Sequence, residues 1–325
     1  MDRNEKNMIK KINKSLVCLP RHTQIELGVQ SVQYDDNVFF SGNNIYKKIY
    51  VFKPSILGEK KHEFIKALLS MYDNRFRLSS YIVNKEGKIN IYVFFTVYFD
   101  CVDYFEARKK ITDFETGFKR DVARLLHITF EECSLETILT YVHLNCTGEL
   151  KEIDTDLLFA KKGVEKIYTD VQVTDSFNIF SCKNVKDRYG SVYLGSIYGD
   201  DVSNIISYFS QNEGTYQYSI EFQRYNDEER AMFQRELKRK YCAESAQLDS
   251  DFVNMSFILS VIASDKNELT EIDTRIVDYF KNNGIILSPG TGREKDMYIS
   301  CASIGLKEFH SMKNVDTRIV SSLLM

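Results

Sequence analysis

The spacing of apolar and polar positions divides the chain into two runs of similar design. In the first, Ile45-Tyr46-Lys47-Lys48-Ile49-Tyr50-Val51-Phe52 reads as a strand ending before Pro54, and Glu59 to Tyr72 places Phe64, Ile65, Leu68, Leu69 and Tyr72 at helical spacing. Phe76–Val83 and Ile89–Phe99 read as two strands joined by the glycine-containing turn at residues 84–88. Asp103 to Leu126 then predicts one long helix, with Tyr104, Ala107, Ile111, Phe114, Phe118, Val122 and Leu125 along one side. A further helix is expected from Ser134, as N-cap, to Leu144. Strand–helix–strand–strand–helix is the order of a split βαβ unit, with helices laid over one face of an antiparallel sheet.

The second run repeats the style. Ser191–Tyr198 is a strand, a helix begins at Asp200-Asp201, and Tyr216, Tyr218, Ile220 and Phe222 alternate as in a strand with one buried face. Asp227–Tyr241 is a charged helix whose Glu228 and Glu229 open it and whose Lys238, Arg239 and Lys240 close it, a polarity that suits the helix dipole. Phe252–Ala263 is an apolar strand, and Glu268–Asn282 a helix stopped by Asn283-Gly284. Short strands at Ile285–Leu287 and Met297–Ile304 complete the run. The expected fold is therefore α+β, two αβ subdomains with mainly antiparallel, ferredoxin-like sheets covered by helices. Residues 1–24 form a polar N-terminal segment, with 1–18 loose. Residues 25–150 are the first subdomain, 151–188 a connecting region with a short hairpin over Val171–Cys182, and 189–325 the second. The repetition lies in element order, with no repeat of residues.

Composition narrows the class. With 325 residues, 43% hydrophobic and 27% charged, the chain is long enough to bury a core without disulfide or metal, and 3 prolines with 15 glycines leave little room for a linker. A net charge of −3 exerts no general pull on nucleic acid or anionic membrane. Cysteines 18, 101, 133, 146, 182, 242 and 301 are widely spaced with no C-x-x-C pair, which points to free, reduced, buried thiols in a reducing cytosol. Met1–Lys14 lacks the apolar run of a secretory signal. Ile89–Phe99, the most apolar stretch, is far short of the roughly 20 residues a membrane-crossing helix needs.

No segment carries recognisable catalytic chemistry. Gly290-Thr291-Gly292-Arg293-Glu294-Lys295 has the wrong spacing for a phosphate-binding loop and no Ser or Thr after the lysine, so it reads as a turn between two strands. His62-Glu63 lacks the second histidine of a zinc helix, Lys66 standing in its place, and His62 reads as an exposed helix residue. Asp35-Asp36 and Asp200-Asp201 sit where turns and helix starts want carboxylates. The aromatic run Ile91–Phe99 lacks the flanking arginines of a base-stacking sheet and reads as a central strand. Arg235, Lys238, Arg239 and Lys240 make the best basic patch, open to an acidic partner or simply stabilising a helix end. Catalytic, cofactor and metal sites are expected to be absent, and no cofactor is expected.

One resemblance spans the chain from about residue 25 to its end. Val29–Val38 running into Ile45–Phe52, then Arg188-Tyr189-Gly190-Ser191-Val192-Tyr193-Leu194, the charged helix around Arg230–Lys240, the apolar strand from Phe252 and the helix ending at Gly284 follow one another in family order. Ser300-Cys301-Ala302-Ser303-Ile304-Gly305 comes next, and Val315-Asp316-Thr317-Arg318 to Leu324 closes the series. This series resembles the N-terminal region of the large ATPase of conjugative type IV secretion systems, in the version carried by Gram-positive mobile elements. Ser303 stands where that family has a proline, and Met325 falls where it continues into a RecA-like motor with the phosphate-binding loop. The resemblance implies a non-catalytic docking and assembly domain that positions a motor on inner-membrane channel subunits. It implies a cytoplasmic location, peripheral to the inner face of the membrane, and self-association through the motor. The alternative is a nucleic-acid-binding accessory protein of a mobile element.

Overall fold

The computed structural model describes residues 16–52, 60–123, 130–161, 163–168, 171–173, 179–182, 188–199, 202–225, 228–232, 235, 239, 252–309 and 311–324. The fold is α+β, as the pattern predicts, built on a 14-stranded antiparallel sheet. Its centre comes from the two runs. The first supplies β4 (Ile45–Phe52), α2 (Lys61–Met71), β5 (Arg75–Lys85), β6 (Lys88–Asp100) and α3 (Tyr104–Gly117). The second supplies β10 (Arg188–Ile197), α6 (Asn204–Gln211), β11 (Gly214–Arg224), β12 (Phe252–Ala263) and α7 (Lys266–Asn282). The strand order β4-β6-β5-β11-β12-β10 is the same triplet twice, the second copy turned about. The copies join where β5 and β11 pair antiparallel, from Asn84↔Gly214 to Arg75↔Gln223, with Ser79 opposite Ser219 near the middle. A pseudo-two-fold relationship thus organises one continuous sheet.

The repetition reaches individual residues at the start of α3 and α7. Asp103 accepts the Glu106 N–H, and Glu106 accepts the N–H of Val102. Asp265 accepts the Glu268 N–H, and Glu268 accepts that of Ser264. Each is a reciprocal capping arrangement that satisfies orphaned donors at both helix and loop.

Flanking strands extend the sheet. On one side lie β3 (Val38–Gly42), β2 (Ser31–Gln33) and β1 (Leu16–Cys18), with β7 (Phe130–Glu132) also on β4. On the other lie β9 (Ile179–Cys182) and β8 (Val171–Val173), with β13 (Ile285–Pro289) on β10 and β14 (Lys313–Asp316) on β12.

Both faces are covered. On the first, α2, α3, α6, α7 and α9 (Thr317–Ser322) close a core around Tyr50, Phe64, Phe76, Phe95, Tyr218 and Phe257. On the second, α4 (Leu135–Thr147), α5 (Val164–Ile167) and α8 (Glu294–Ala302) pack with α1 (Arg21–Leu27) over Ile49, Phe94, Val192 and Ile258. Helices on one face only is thus an expectation the structure corrects. Burial on both sides is why β6 and β12 read as nearly continuous apolar runs.

Other boundaries move. The expected strand at Met297–Ile304 is α8, whose residues 297–302 are all buried, so it carries no polar stripe to betray the helical period. The single helix from Asp103 changes to a π-helical stretch at Phe118–Ala123 after Gly117, and residues 124–129 lie outside the described set. Leu16–Cys18, expected to be loose, is paired with β2. Most of the charged helix at 227–241, and Asp200-Asp201, fall outside the described residues.

Candidate functional site

On the second face, the paired strands β5 and β11 bury charge rather than hydrocarbon. Arg77 lies opposite Glu221, two positions from the Ser79–Ser219 pair. Around them close Lys47 from β4, Arg75 from β5, Tyr98 from β6 and Glu308. Lys47 Nζ is 2.6 Å from Glu308 Oε1, and Arg75 bridges Glu308 at 2.9 Å and Glu221 at 3.2 Å. Arg77 is 3.6 Å from Glu221, which also accepts a hydrogen bond from Tyr98 Oη at 3.3 Å. The Arg75 guanidinium stacks 4.1 Å from the Tyr98 ring centre. Lys47 and Arg77 side chains are 1% and 2% exposed, so the cluster sits in low dielectric.

Three cations face two carboxylates, and the surplus donors go to one segment. Residues 303–309 cross this face as a strap. Lys47 Nζ donates to the Leu306 carbonyl at 2.7 Å, Arg77 to the Lys307 carbonyl at 3.2 Å and to that of Ser300, and Thr96 to the Ile304 carbonyl at 2.6 Å. Ile304 and Gly305 both have left-handed φ, 46° and 94°. A β-branched residue rarely tolerates this geometry, so the carbonyl contacts over-determine it. Ser303 closes the turn, its Oγ accepting the Lys307 N–H at 2.9 Å. Burial pushes the Lys47 amine down to about 8, and Glu308 limits the fall.

Beyond the strap the chain passes through the sheet. β14 pairs with the start of β12, Phe252 opposite Asp316, filling ground that β10 does not reach. α9 then packs on α2 across the first face. Tyr218 Oη donates to the Leu323 carbonyl at 3.2 Å, Lys61 to that of Leu324, and His62 Nδ1 lies 3.2 Å from Ser321 Oγ. His62 is thus half-buried against α9, where a fully exposed residue is expected.

Beside α9 lies an open groove of about 570 Å³, lined by Lys66 and Ser70 of α2, Arg224 and Val253 at the ends of β11 and β12, and Thr317. A second groove of about 550 Å³ lies at the opposite end of the β5–β11 seam. There Arg188 stands against Gly148, where the α4 carbonyls end, and Glu213 accepts the Glu86 N–H. A cation at a helix C-terminus is stabilised by the dipole, so Arg188 has a structural role there.

The residues singled out in the sequence are dispersed. Residues 290–295 turn from β13 into α8 rather than between two strands. Arg293 stacks on Phe309 at 4.2 Å, and Glu294 is buried. Asp36 accepts from Tyr104 and faces Arg108 at 3.2 Å, tying the β2–β3 turn to α3. The aromatics of β6 are closed to bases: Phe95 stacks on Phe76, and Phe94 packs on Tyr141. Arg235 and Arg239 are exposed, while Lys238 and Lys240 lie outside the described residues. Cys101, Cys133, Cys146 and Cys301 are buried free thiols, and Cys18 is exposed. Among the described residues, no group of three or more His, Cys, Asp or Glu could hold a metal ion, and no helix is long and apolar enough to cross a membrane.

The sequence pattern assigns Lys47, Arg77 and Glu221 no role, because a one-faced sheet would leave their side exposed. The usable signal was charge inside otherwise apolar strands: Lys47-Lys48 between tyrosines, Arg75 and Arg77 around Phe76, Glu221 between Ile220 and Phe222. No protein-family model and no curated protein sequence matches the chain.

Proposed function

We propose that this chain is a non-catalytic docking and assembly domain of a conjugative type IV secretion ATPase, holding a motor against the inner-membrane channel subunits of a mobile element. The observation that carries the reading is the fastening of residues 303–324. They are clamped by buried ion pairs on one face, paired into the sheet at β14 and packed into the core of the other face. A domain joined beyond α9 would be mounted on the sheet rather than hung from it, as positioning under mechanical load requires. The resemblance over residues 25–325 supplies the identity of the motor and its partners. Its implied setting is cytoplasmic, at the inner face of the membrane.

The test is co-purification of the chain with the channel subunits encoded by the same element. Glu308→Lys, which breaks the clamp, is expected to weaken that association. Magnesium-dependent ATP hydrolysis by the purified chain, at rates no contaminant explains, would overturn the non-catalytic reading. The exposed Arg235 and Arg239 favour a second reading, nucleic-acid binding. Steeply salt-dependent DNA binding, lost on neutralising Arg235, Lys238, Arg239 and Lys240, would establish it.

A further inference from the structure

We propose that Lys47, Tyr98 and Arg75 form a carboxylate-receiving site that Glu308 fills from within the chain, making the strap a latch that an acidic segment of a partner protein displaces. The three side chains stand in one row across β4, β6 and β5, Lys47 and Arg75 each paired with Tyr98. Lys47 Nζ lies 5.2 Å and the Arg75 guanidinium 4.1 Å from the Tyr98 ring centre, so both cations gather at one aromatic ring. Glu308 bridges them, one carboxylate oxygen to each, at 2.6 and 2.9 Å. Strands fix the three receiving residues, whereas Glu308 comes from an irregular segment.

The site is permanent and its occupant replaceable. Glu308 sits at the rim, its side chain 12% exposed against 1% for Lys47, so a second carboxylate has a way in. The strap is strained where it leaves α8, with Ile304 and Gly305 held at left-handed φ by their contacts. Glu221 stays on β11, so a departing Glu308 leaves three cations facing one buried carboxylate. Low dielectric does not tolerate that surplus, and release therefore requires another acid. The same donors select a polypeptide. Lys47 also donates to the Leu306 carbonyl and Arg77 to that of Lys307, and a replacement must supply backbone carbonyls as well as a carboxylate. Glu221, 3.2 Å from Arg75, repels a doubly charged phosphate more than a singly charged carboxylate.

Hydrogen exchange of the full 325-residue chain reads displacement directly. Millimolar hexaglutamate is expected to speed exchange at Leu306 and Lys307 severalfold, while hexaglutamine, or sodium chloride at equal ionic strength, leaves it unchanged. No acceleration, or acceleration matched by the salt, overturns the latch. The receiving site is read in Glu308→Ala. Acetate should raise the urea midpoint of this variant saturably, acetamide should not, and adding Arg75→Gln should abolish the rise. An acetate effect that is absent or indifferent to Arg75→Gln, or a stronger effect of phosphate, overturns the carboxylate site. Should Glu308→Ala fail to fold, the exchange experiment on the unaltered chain decides alone.

Discussion

Lys47 Nζ lies 2.6 Å from Glu308 Oε1, a buried pair that joins β4, near the beginning of the fold, to the strap near its end. The pair closes a five-residue network in which Arg75 touches both carboxylates. Removing one partner of such a pair leaves the other charged and buried, at a cost of about 3–5 kcal/mol. Glu308→Gln is therefore expected to destabilise by about 3 kcal/mol in urea unfolding at pH 7. A loss below about 1 kcal/mol would mean that the cluster relaxes into water.

The same pair sets a pH dependence. An unfolded Lys47 holds its proton to about 10.5, whereas burial lowers the folded value to about 8, partly opposed by Glu308. Between these values the unfolded chain binds more protons, so this group makes stability rise with pH, from about 8 toward 10. The penalty is fully present below pH 8. Lys47→Met should flatten that rise. A wild-type stability curve that is flat or falling over pH 8–10, and no different in Lys47→Met, would show that Lys47 is not desolvated as its burial implies.

The strap carries a second prediction at Gly305. Its φ of 94° disfavours any side chain, and a Cβ there would sit 2.6 Å from Thr96 Oγ1, the atom that donates to the Ile304 carbonyl. Gly305→Ala thus strains the backbone and displaces the hydroxyl that holds it. A loss of about 2–3 kcal/mol is expected, with faster amide exchange over 303–309 than elsewhere. Uniform exchange behaviour would argue against the strap as a separate unit.

How far the fold was legible follows from what each residue borders. The alternation of Tyr216, Tyr218, Ile220 and Phe222 and the helical spacing of Phe64, Ile65, Leu68 and Leu69 announce themselves, because β11 turns its apolar residues to the first face and the polar Gln217, Ser219 and Glu221 to the second, while α2 meets a single core. α8 hides its period because Met297 to Ala302 are buried without a break, so neither a helical nor a strand alternation shows there. The site was hidden for a related reason. Glu221 and Arg77 occupy positions that point to solvent in a one-faced sheet, and only the packing of α4, α8 and the strap over that side makes them internal. Thr317 and Arg224 are distant in sequence, and β14 pairing beside β12 brings them to one groove.

The matched caps of α3 and α7 give a test of the two-fold organisation. Asp103→Ala and Asp265→Ala each remove a side chain that accepts first-turn amides. Each is expected to cost about 1 kcal/mol, and the double variant about the sum, since independent caps add. Asp265 accepts two amides to Asp103's one, so its loss should be the larger in chemical denaturation.

Asp273 behaves oppositely to an exposed carboxylate. On α7 it accepts a hydrogen bond from Ser191, yet burial raises it from 3.8 to about 6, outweighing the bonds from Ser191 and Tyr193 that favour its charged form. A folded state that keeps its proton to higher pH than the unfolded chain loses stability as pH rises from about 4 to 6, and the loss persists above 6. Asp273→Asn preserves an acceptor for Ser191 and removes the charge. The variant should therefore gain on the wild type between pH 4 and pH 7, by an amount that is small at pH 4 and complete by pH 7. Thermal melts at the two pH values measure the difference. An advantage that does not grow with pH would show that Asp273 is hydrated enough to titrate normally, and that the packing of α7 on β10 admits water.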